Sequence, residues 1–279
     1  MVKQALIVST YQETPTGVTM SKSLTSFRAS SDRKVAPYGR RQGKSPNGMK
    51  PLKNSFGLPA GKDYSCKGAT DWCLSNCYAG KLEKVFPAVR EMLVANWELF
   101  LEHQDSWEEL QKLLRPMVVD FVDECRKREV KPVFRWFWDG DIPNENFSKA
   151  MRNLAWEFTN VKFWAYTRNF DRNVIHNLTQ YLHNFTLYLS VDAGNLVQAF
   201  KVKEEFRDVK LAFCADTWDQ TESLARSFKG ERKGPRCPEL TGKLPMVVWD
   251  TEKTGHGACV ECNMCIDGVN NVRFASQKG

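Results

Sequence analysis

A chain of 279 residues, of which 42% are hydrophobic, can bury a sizeable core, and this excludes an intrinsically disordered protein. The chain has no run of about eighteen apolar residues, so we expect no membrane partner. Its first residues lack a secretory signal, which predicts a cytoplasmic protein. The net charge of +7 comes from the N-terminal segment, because residues 1–55 carry ten Lys and Arg against Glu13 and Asp32.

The first 62 residues are predicted to form a basic N-terminal arm with one short strand at residues 5–10. Residues 21–62 are rich in Ser, Gly, Pro, Lys and Arg, which is typical of a solvated surface loop. Clustered cations in such a segment also give non-specific affinity for phosphates. Nucleic acid is therefore a candidate partner.

Residues 63–230 alternate between predicted strands and helices. A helix is expected at 87–104, and a second one is capped by Ser106 and is expected to be kinked or interrupted at Pro116. Strands are then expected at residues 133–138, 161–166, 186–191, 209–215 and 246–249, with helices at 146–158, 171–183, 193–207 and 220–228. This alternation predicts an α/β fold with a parallel sheet and right-handed crossovers.

Polar side chains follow each predicted strand, where parallel α/β folds collect their binding groups. The alternative for Asp192 and Asp216 is that they only cap the helices that follow. Five such sites in succession favour a lined cavity. They are Asp139-Gly140-Asp141, Tyr166-Thr167-Arg168, Ser190-Val191-Asp192, Asp216-Thr217 and Asp250-Thr251.

Six of the nine cysteines lie in two short runs, and the first run is Cys66, Cys73 and Cys77. Cytoplasmic thiols are kept reduced, so clustered cysteines favour a metal over disulfides. Three thiolates can hold a [4Fe-4S] cluster and leave one iron open to a protein ligand or a substrate-like molecule. Zinc is the alternative, because four thiolates at tetrahedral positions suit it equally well.

The second run, Cys259, Cys262 and Cys265, has the two-residue gaps of a ferredoxin. Cys237, which precedes a proline, would complete a four-thiolate set in the cysteine-rich segment 231–279. Zinc in this segment, or one cluster shared by both runs, remains open. Cys125 is expected to be a buried or idle thiol, and His256 is a candidate cluster contact. Cys214 is expected in the core, with a small chance of facing the site.

The chain resembles the Gene product 88 family, small cysteine-rich proteins encoded by bacteriophages, from about Cys66 onward. The resemblance rests on the basic N-terminal segment, the run Cys73-Leu74-Ser75-Asn76-Cys77-Tyr78-Ala79, the later Trp138-Asp139-Gly140-Asp141 and the closing cysteine run. It implies a phage protein that acts in the host cytoplasm. It assigns little biochemistry.

A more distant resemblance connects the cysteine loop and the repeated strand-helix units to the radical S-adenosylmethionine enzymes. It implies a partial (β/α) barrel whose last part comes from residues 231–279, with Cys66, Cys73 and Cys77 on the cluster and S-adenosylmethionine as a further cofactor. Asp139, Gly140 and Asp141 would stand where that superfamily has a Gly-Gly-Glu-like motif. The gaps between the three cysteines are six and three residues here, against three and two in the superfamily's usual motif.

Two functions follow from these observations. The first is an iron-sulfur protein with redox or radical chemistry, in which Asp141, Arg168, Asp192 and Asp216 line a pocket and Arg168 holds a carboxylate. The second is a non-enzymatic phage protein that contacts nucleic acid or the host through the basic arm, with a structural Fe-S or zinc site. Whether the protein is an enzyme stays open between them.

Overall fold

Five parallel strands form the centre of the protein, in the order β1-β2-β3-β4-β7, as a half-barrel sheet. The structure is a computed structural model that describes residues 25–36, 51–249 and 255–276. Its elements are α1 Asp71–Asn76, α2 Tyr78–Val85, α3 Pro87–His103, α4 Trp107–Lys127, β1 Val133–Trp136, α5 Glu145–Glu157, β2 Lys162–Thr167, α6 Arg172–Thr179, β3 Phe185–Val191, α7 Leu196–Glu205, β4 Lys210–Ala215, α8 Trp218–Ser227, β5 Val247–Trp249, β6 Gly255–Gly257, α9 Ala258–Cys262 and β7 Val272–Ala275. The α/β prediction is confirmed.

The two faces of the sheet bury different partners, because successive strand residues point to opposite faces. The outer face, with Phe134, Phe163 and Leu189, packs in one core cluster with residues of the crossover helices. The inner face carries Trp164 and Tyr188, and the C-terminal segment packs against these side chains. The sheet is therefore buried on both sides, as a parallel sheet requires.

The fifth strand of the sheet differs from the prediction. Val247–Trp249 is a strand, but it pairs antiparallel with Gly255–Gly257 in a separate two-stranded sheet. Val272–Ala275 takes the place beside β4 instead. This strand has four residues, includes the charged Arg273 and follows the cysteine run. The alternation of strands and helices therefore does not predict it. Asp250 and Thr251 lie outside the described residues.

The solvated arm predicted for residues 21–62 is wrong for residues 51–59, whose side chains are mostly buried. Phe56 and Leu58 are both 0% exposed. This segment runs beside β1, with the Arg135 amide donating to the Asn54 carbonyl at 3.0 Å and the Phe56 amide donating to the Arg135 carbonyl at 3.0 Å. It covers the free edge of β1, which would otherwise expose unpaired backbone groups.

Two smaller predictions also have outcomes. α4 continues through Pro116, so the predicted interruption does not occur. The strand predicted at residues 5–10 and most of the basic segment lie outside the described residues. Among the helices that are described, none is long and apolar enough to cross a membrane.

Candidate metal centre

The first cysteine loop lies on the C-terminal edge of the sheet, and its own polar residues hold it there. Thr70 caps α1 by accepting from the Cys73 amide at 3.1 Å, and its hydroxyl donates to Asp192 at 2.6 Å. The Trp72 indole donates to Asp216 at 2.9 Å. Asp192 follows β3 and Asp216 follows β4, so two strand ends anchor the loop.

Asp192 and Asp216 therefore do not cap the helices that follow them, which was the alternative for both residues. The side chain of Thr217 caps α8, and Asn195 stands at the N-terminus of α7. Asp192 instead receives bonds from Arg168 and Thr70. Both carboxylates belong to the contact between the sheet and the cysteine loop.

Asp141 ties the ends of β1 and β2 to the same loop. Its carboxylate accepts from the Thr167 hydroxyl at 2.6 Å and from the Arg168 amide at 2.8 Å, and its own amide donates to the Ser65 hydroxyl at 3.0 Å. Burial raises the pKa of Asp141 to about 6, although these hydrogen bonds oppose the shift. Ser65 directly precedes Cys66, so this network fixes the start of the cysteine loop.

Arg168 lies beneath the loop and is 7% exposed. Its guanidinium pairs with Asp192 and lies 5.8 Å from the centre of the Trp72 ring. The backbone of the loop approaches Arg168 so closely that a Cβ on Gly68 would lie 2.0 Å from the Arg168 carbonyl oxygen. Only glycine permits this approach.

The thiol of Cys73 has Cys66, Cys77, Asp141 and Arg168 as electrostatic neighbours. Burial raises the pKa of the Cys66 thiol to about 12, and Asp141 and Cys73 add to the increase. Burial also raises the pKa of Cys73; the positive charge of Arg168 opposes this shift and the Cys77 thiol adds to it. The role of these three thiols as ligands of one metal centre stays a prediction.

The residues Asp139 and Gly140 occupy a neighbouring environment. Asp139 is 1% exposed, and burial together with the nearby Glu83 carboxylate raises its pKa to about 8. Gly140 has φ +74°, and a Cβ there would lie 2.5 Å from the Leu58 carbonyl oxygen.

A cavity of about 660 Å³ opens beside Arg168, and Lys67, Arg172 and Lys201 are among its lining residues.

The second cysteine set lies against the inner face of the sheet. Cys259 and Cys265 pack with Trp164, and Cys237 and Cys265 pack with Tyr188. Burial raises the pKa of Cys265 to about 12, and the thiols of Cys237 and Cys262 add to the increase. Burial raises the pKa of Cys259 as well; the charge of Arg135 opposes that shift and Cys265 adds to it. The four thiols are partly buried, and Cys265 has the other three as electrostatic neighbours.

Arg135 joins the two cysteine regions, and sequence reasoning missed it. Its guanidinium donates to Asp32 at 2.7 Å and to the Tyr78 hydroxyl at 3.1 Å, and it lies 5.1 Å from the centre of the Trp164 ring. Tyr78 directly follows Cys77. A lone arginine within the apolar run of β1 was the available signal, because a buried cation needs a negative or hydrogen-bonding partner.

The structure also shows where three further residues singled out in the sequence lie. Cys125 is buried in the main core, as expected. His256 is 2% exposed and bonds to the Glu261 carboxylate through Nε2 at 2.7 Å. Cys214 is buried at the end of β4 and shares the surroundings of Cys73 and Arg168.

A single metal ion and a cluster need different spacings of their thiolate ligands. Four thiolates at about 2.3 Å from one tetrahedral zinc lie about 3.8 Å from one another. Within the described residues, no group of three or more His, Cys, Asp or Glu side chains is arranged so that it could hold one metal ion. A cubane cluster binds each thiolate on a different iron, so its ligands are spaced more widely.

Comparison with known proteins identifies the family of the chain. The family model described as Gene product 88 matches residues 25–268. The Gene 88 protein of Mycobacterium phage D29 is 35% identical over 258 residues, which cover 91% of this chain and 100% of the relative. The Gene 88 protein of Mycobacterium phage L5 is 34% identical over 255 residues, which cover 90% and 98%. No solved structure matches the chain. The chain belongs to the Gene product 88 family.

Proposed function

We propose that this member of the Gene product 88 family binds an iron-sulfur cluster through Cys66, Cys73 and Cys77 and uses it for one-electron chemistry. The observation that carries the proposal is that the loop with these three cysteines is anchored at the C-terminal edge of a parallel half-barrel, over Arg168. Parallel α/β sheets place their functional groups at this edge.

Burial of the thiols supports the proposal. Desolvation raises the pKa of Cys66 and Cys73, so both are held as neutral thiols in the absence of a metal. Packing alone does not explain two partly buried thiols in one polar site, because free cysteines in cores act as small apolar groups. Iron would replace their protons, and Arg168 would compensate the negative charge of the thiolates.

The second set, Cys237, Cys259, Cys262 and Cys265, would hold a cluster of its own. The thiols of Cys237 and Cys262 raise the pKa of Cys265, the thiol of Cys265 raises that of Cys259, and Arg135 lies beside Cys259 as a buried cation. The cluster would supply a second redox centre. Zinc in this set, or one cluster shared with the first set, would give a different metal content. A measurement of iron, zinc and sulfide per chain distinguishes these alternatives.

The radical S-adenosylmethionine form of the function has less support. Arg168, the expected carboxylate holder, is already paired with Asp192. Asp141 is committed to Thr167 and Arg168, and Asp139 faces Glu83. A bound amino acid group would have to replace these internal partners. S-adenosylmethionine binding therefore stays a prediction for the residues assigned to it, which are Asp139, Gly140, Asp141, Arg168, Asp192 and Asp216.

Nucleic-acid binding by the basic arm is also still a prediction, since most of the arm lies outside the described residues.

The deciding experiment measures iron, zinc and acid-labile sulfide per chain on protein purified without air, together with a visible spectrum. We expect about eight iron and eight sulfide for two clusters, and about four of each for a shared one. Cys73→Ala and Cys77→Ala should lower the iron content and weaken the absorption near about 400 nm. Cys125→Ala removes a buried thiol from the main core and serves as the control. Zinc without sulfide, or full iron in both variants, would contradict the proposal.

A further inference from the structure

Cys214 lies at the end of β4 on the same face as the second cysteine set. Leu211 and Phe213 belong to the outer core with the helices, whereas Ala212 packs on the inner face with Tyr188. Because strand residues alternate between faces, Cys214 also points inward. It is 9% exposed, and its thiol donates to the Ala212 carbonyl at 3.4 Å, a weak bond within its own strand.

The first cysteine loop is anchored close to this end of β4. The loop is fixed at Thr70 to Asp192 beyond β3, and at Trp72 to Asp216, which is two residues after Cys214. Cys73 follows Trp72 and donates its amide to Thr70. The segment from Thr70 to Cys73 therefore spans the ends of β3 and β4, and Cys214 lies in β4, just before the second of these anchors.

The thiols of Cys214 and Cys73 both act electrostatically on the Arg168 guanidinium. Burial lowers the pKa of Arg168, but Cys214, Cys73 and Asp192 outweigh this effect and raise it. Burial raises the pKa of Cys214 to about 12; Arg168 opposes that shift, and Cys73 adds to it. A thiol that served only the core would not need a buried cation and a second thiol as neighbours.

We infer that Cys214 is the fourth thiol ligand of the cluster held by Cys66, Cys73 and Cys77. This inference rests on the proposed function and defines it further. On binding, the Cys214 sulfur exchanges its proton for a bond to iron, and the proton is released to solvent. The cluster then has no open iron, and the site is suited to electron transfer through the cluster rather than to activation of a bound substrate.

The test compares Cys214→Ala with Cys125→Ala in the full chain. Both variants remove a buried thiol of the same size, so a general loss of packing affects both. After anaerobic purification, we expect Cys214→Ala to contain about one to four iron per chain fewer than Cys125→Ala. Cys214→Ser keeps a donor oxygen and should recover part of the iron with a shifted visible spectrum. If the alanine variant fails to fold, the serine variant takes its place in the comparison with Cys125→Ala.

Cys73→Ala separates this inference from the proposed function. If Cys73→Ala loses iron while both Cys214 variants keep the parent's iron content and spectrum, the cluster is present and the assignment of Cys214 is wrong. If Cys73→Ala also keeps full iron, the proposed cluster itself is wrong. Loss of iron in Cys73→Ala and Cys214→Ala, but not in Cys125→Ala, supports both.

Discussion

The side chains that define the site are buried polar residues whose partners come from distant parts of the chain. Arg168 pairs with Asp192 across 24 residues, and Arg135 pairs with Asp32 across 103 residues. Removing one member of such a pair leaves the other charge buried without compensation, which is costly. Sequence reasoning identified Arg168 and Asp192 because they follow strands, but it could not find Arg135, whose role appears only when Asp32 and Tyr78 meet it.

Asp139 makes folding depend on pH. Its Oδ2 atom has no hydrogen-bond partner among the described residues, and burial together with Glu83 raises its pKa to about 8. The folded protein therefore keeps a proton that the unfolded chain loses near pH 4, roughly the ordinary aspartate pKa. The free energy of unfolding should fall as pH rises from about 4 to about 8.

Asp139→Asn removes this titration, because the amide stays neutral. We expect the variant to be more stable than the parent at pH 8, by on the order of a few kcal/mol, and the difference to shrink towards pH 4. Thermal unfolding midpoints across this range measure the change. Asp208→Asn, at an exposed aspartate, is the control. A difference between variant and parent that is independent of pH would show that Asp139 is ionised in the folded protein.

Among the elements, the first four strands followed from the sequence and the fifth did not. Runs such as Val133 to Trp136 combine β-branched and aromatic residues between turns, so their pattern is visible locally. β7 is short, and its position depends on the C-terminal segment packing against the inner face. The burial of residues 51–59 was missed for the same reason, since it depends on pairing with β1 rather than on composition.

The cysteine loop is positioned by its close approach to the backbone after β2, and this makes Gly68 a test of the site. A Cβ at Gly68 would lie 2.0 Å from the Arg168 carbonyl oxygen, so Gly68→Ala must lift the loop away from the sheet. We expect a large loss of bound iron, with the far-ultraviolet circular dichroism of the sheet and helices retained. Gly230→Ala is the control for a destabilising glycine replacement away from the loop, because Gly230 has φ +83° and a Cβ there would meet nothing within 4 Å. Equal iron in the two variants would show that the loop can hold its metal without this contact.

At the scale of the whole molecule, the half-barrel serves as a support for two cysteine regions on different sides. The first loop lies on the C-terminal edge, and the second set lies on the inner face. Arg135 contacts both through Tyr78 and the inner-face residues. The sequence predicted both sets from their spacing, but it could not assign them to separate places on the sheet, because that requires the path of the loop and the position of β7.

The positive charge of the molecule is concentrated near its N-terminus. The packing of residues 51–59 limits which changes can test a nucleic-acid role. Residues 51–59 cover the edge of β1, so deleting residues 1–55 would damage the fold as well as remove charge. The cleaner change replaces the four cations in residues 37–50 with serine, which lowers the net charge from +7 to +3. These are Arg40, Arg41, Lys44 and Lys50.

If the basic segment binds DNA, this variant should lose most of its affinity. The slope of log affinity against log salt should also fall by up to about four, because each neutralised phosphate contributes about 0.9. Replacement of Lys84, Lys112, Lys131 and Lys229, four exposed lysines elsewhere, removes the same charge and is the control. Fluorescence anisotropy with a short duplex at several salt concentrations measures both variants. An equal loss in both would show that only the net charge matters, and binding that never appears in the parent protein would leave no role for the basic segment in contacting nucleic acid.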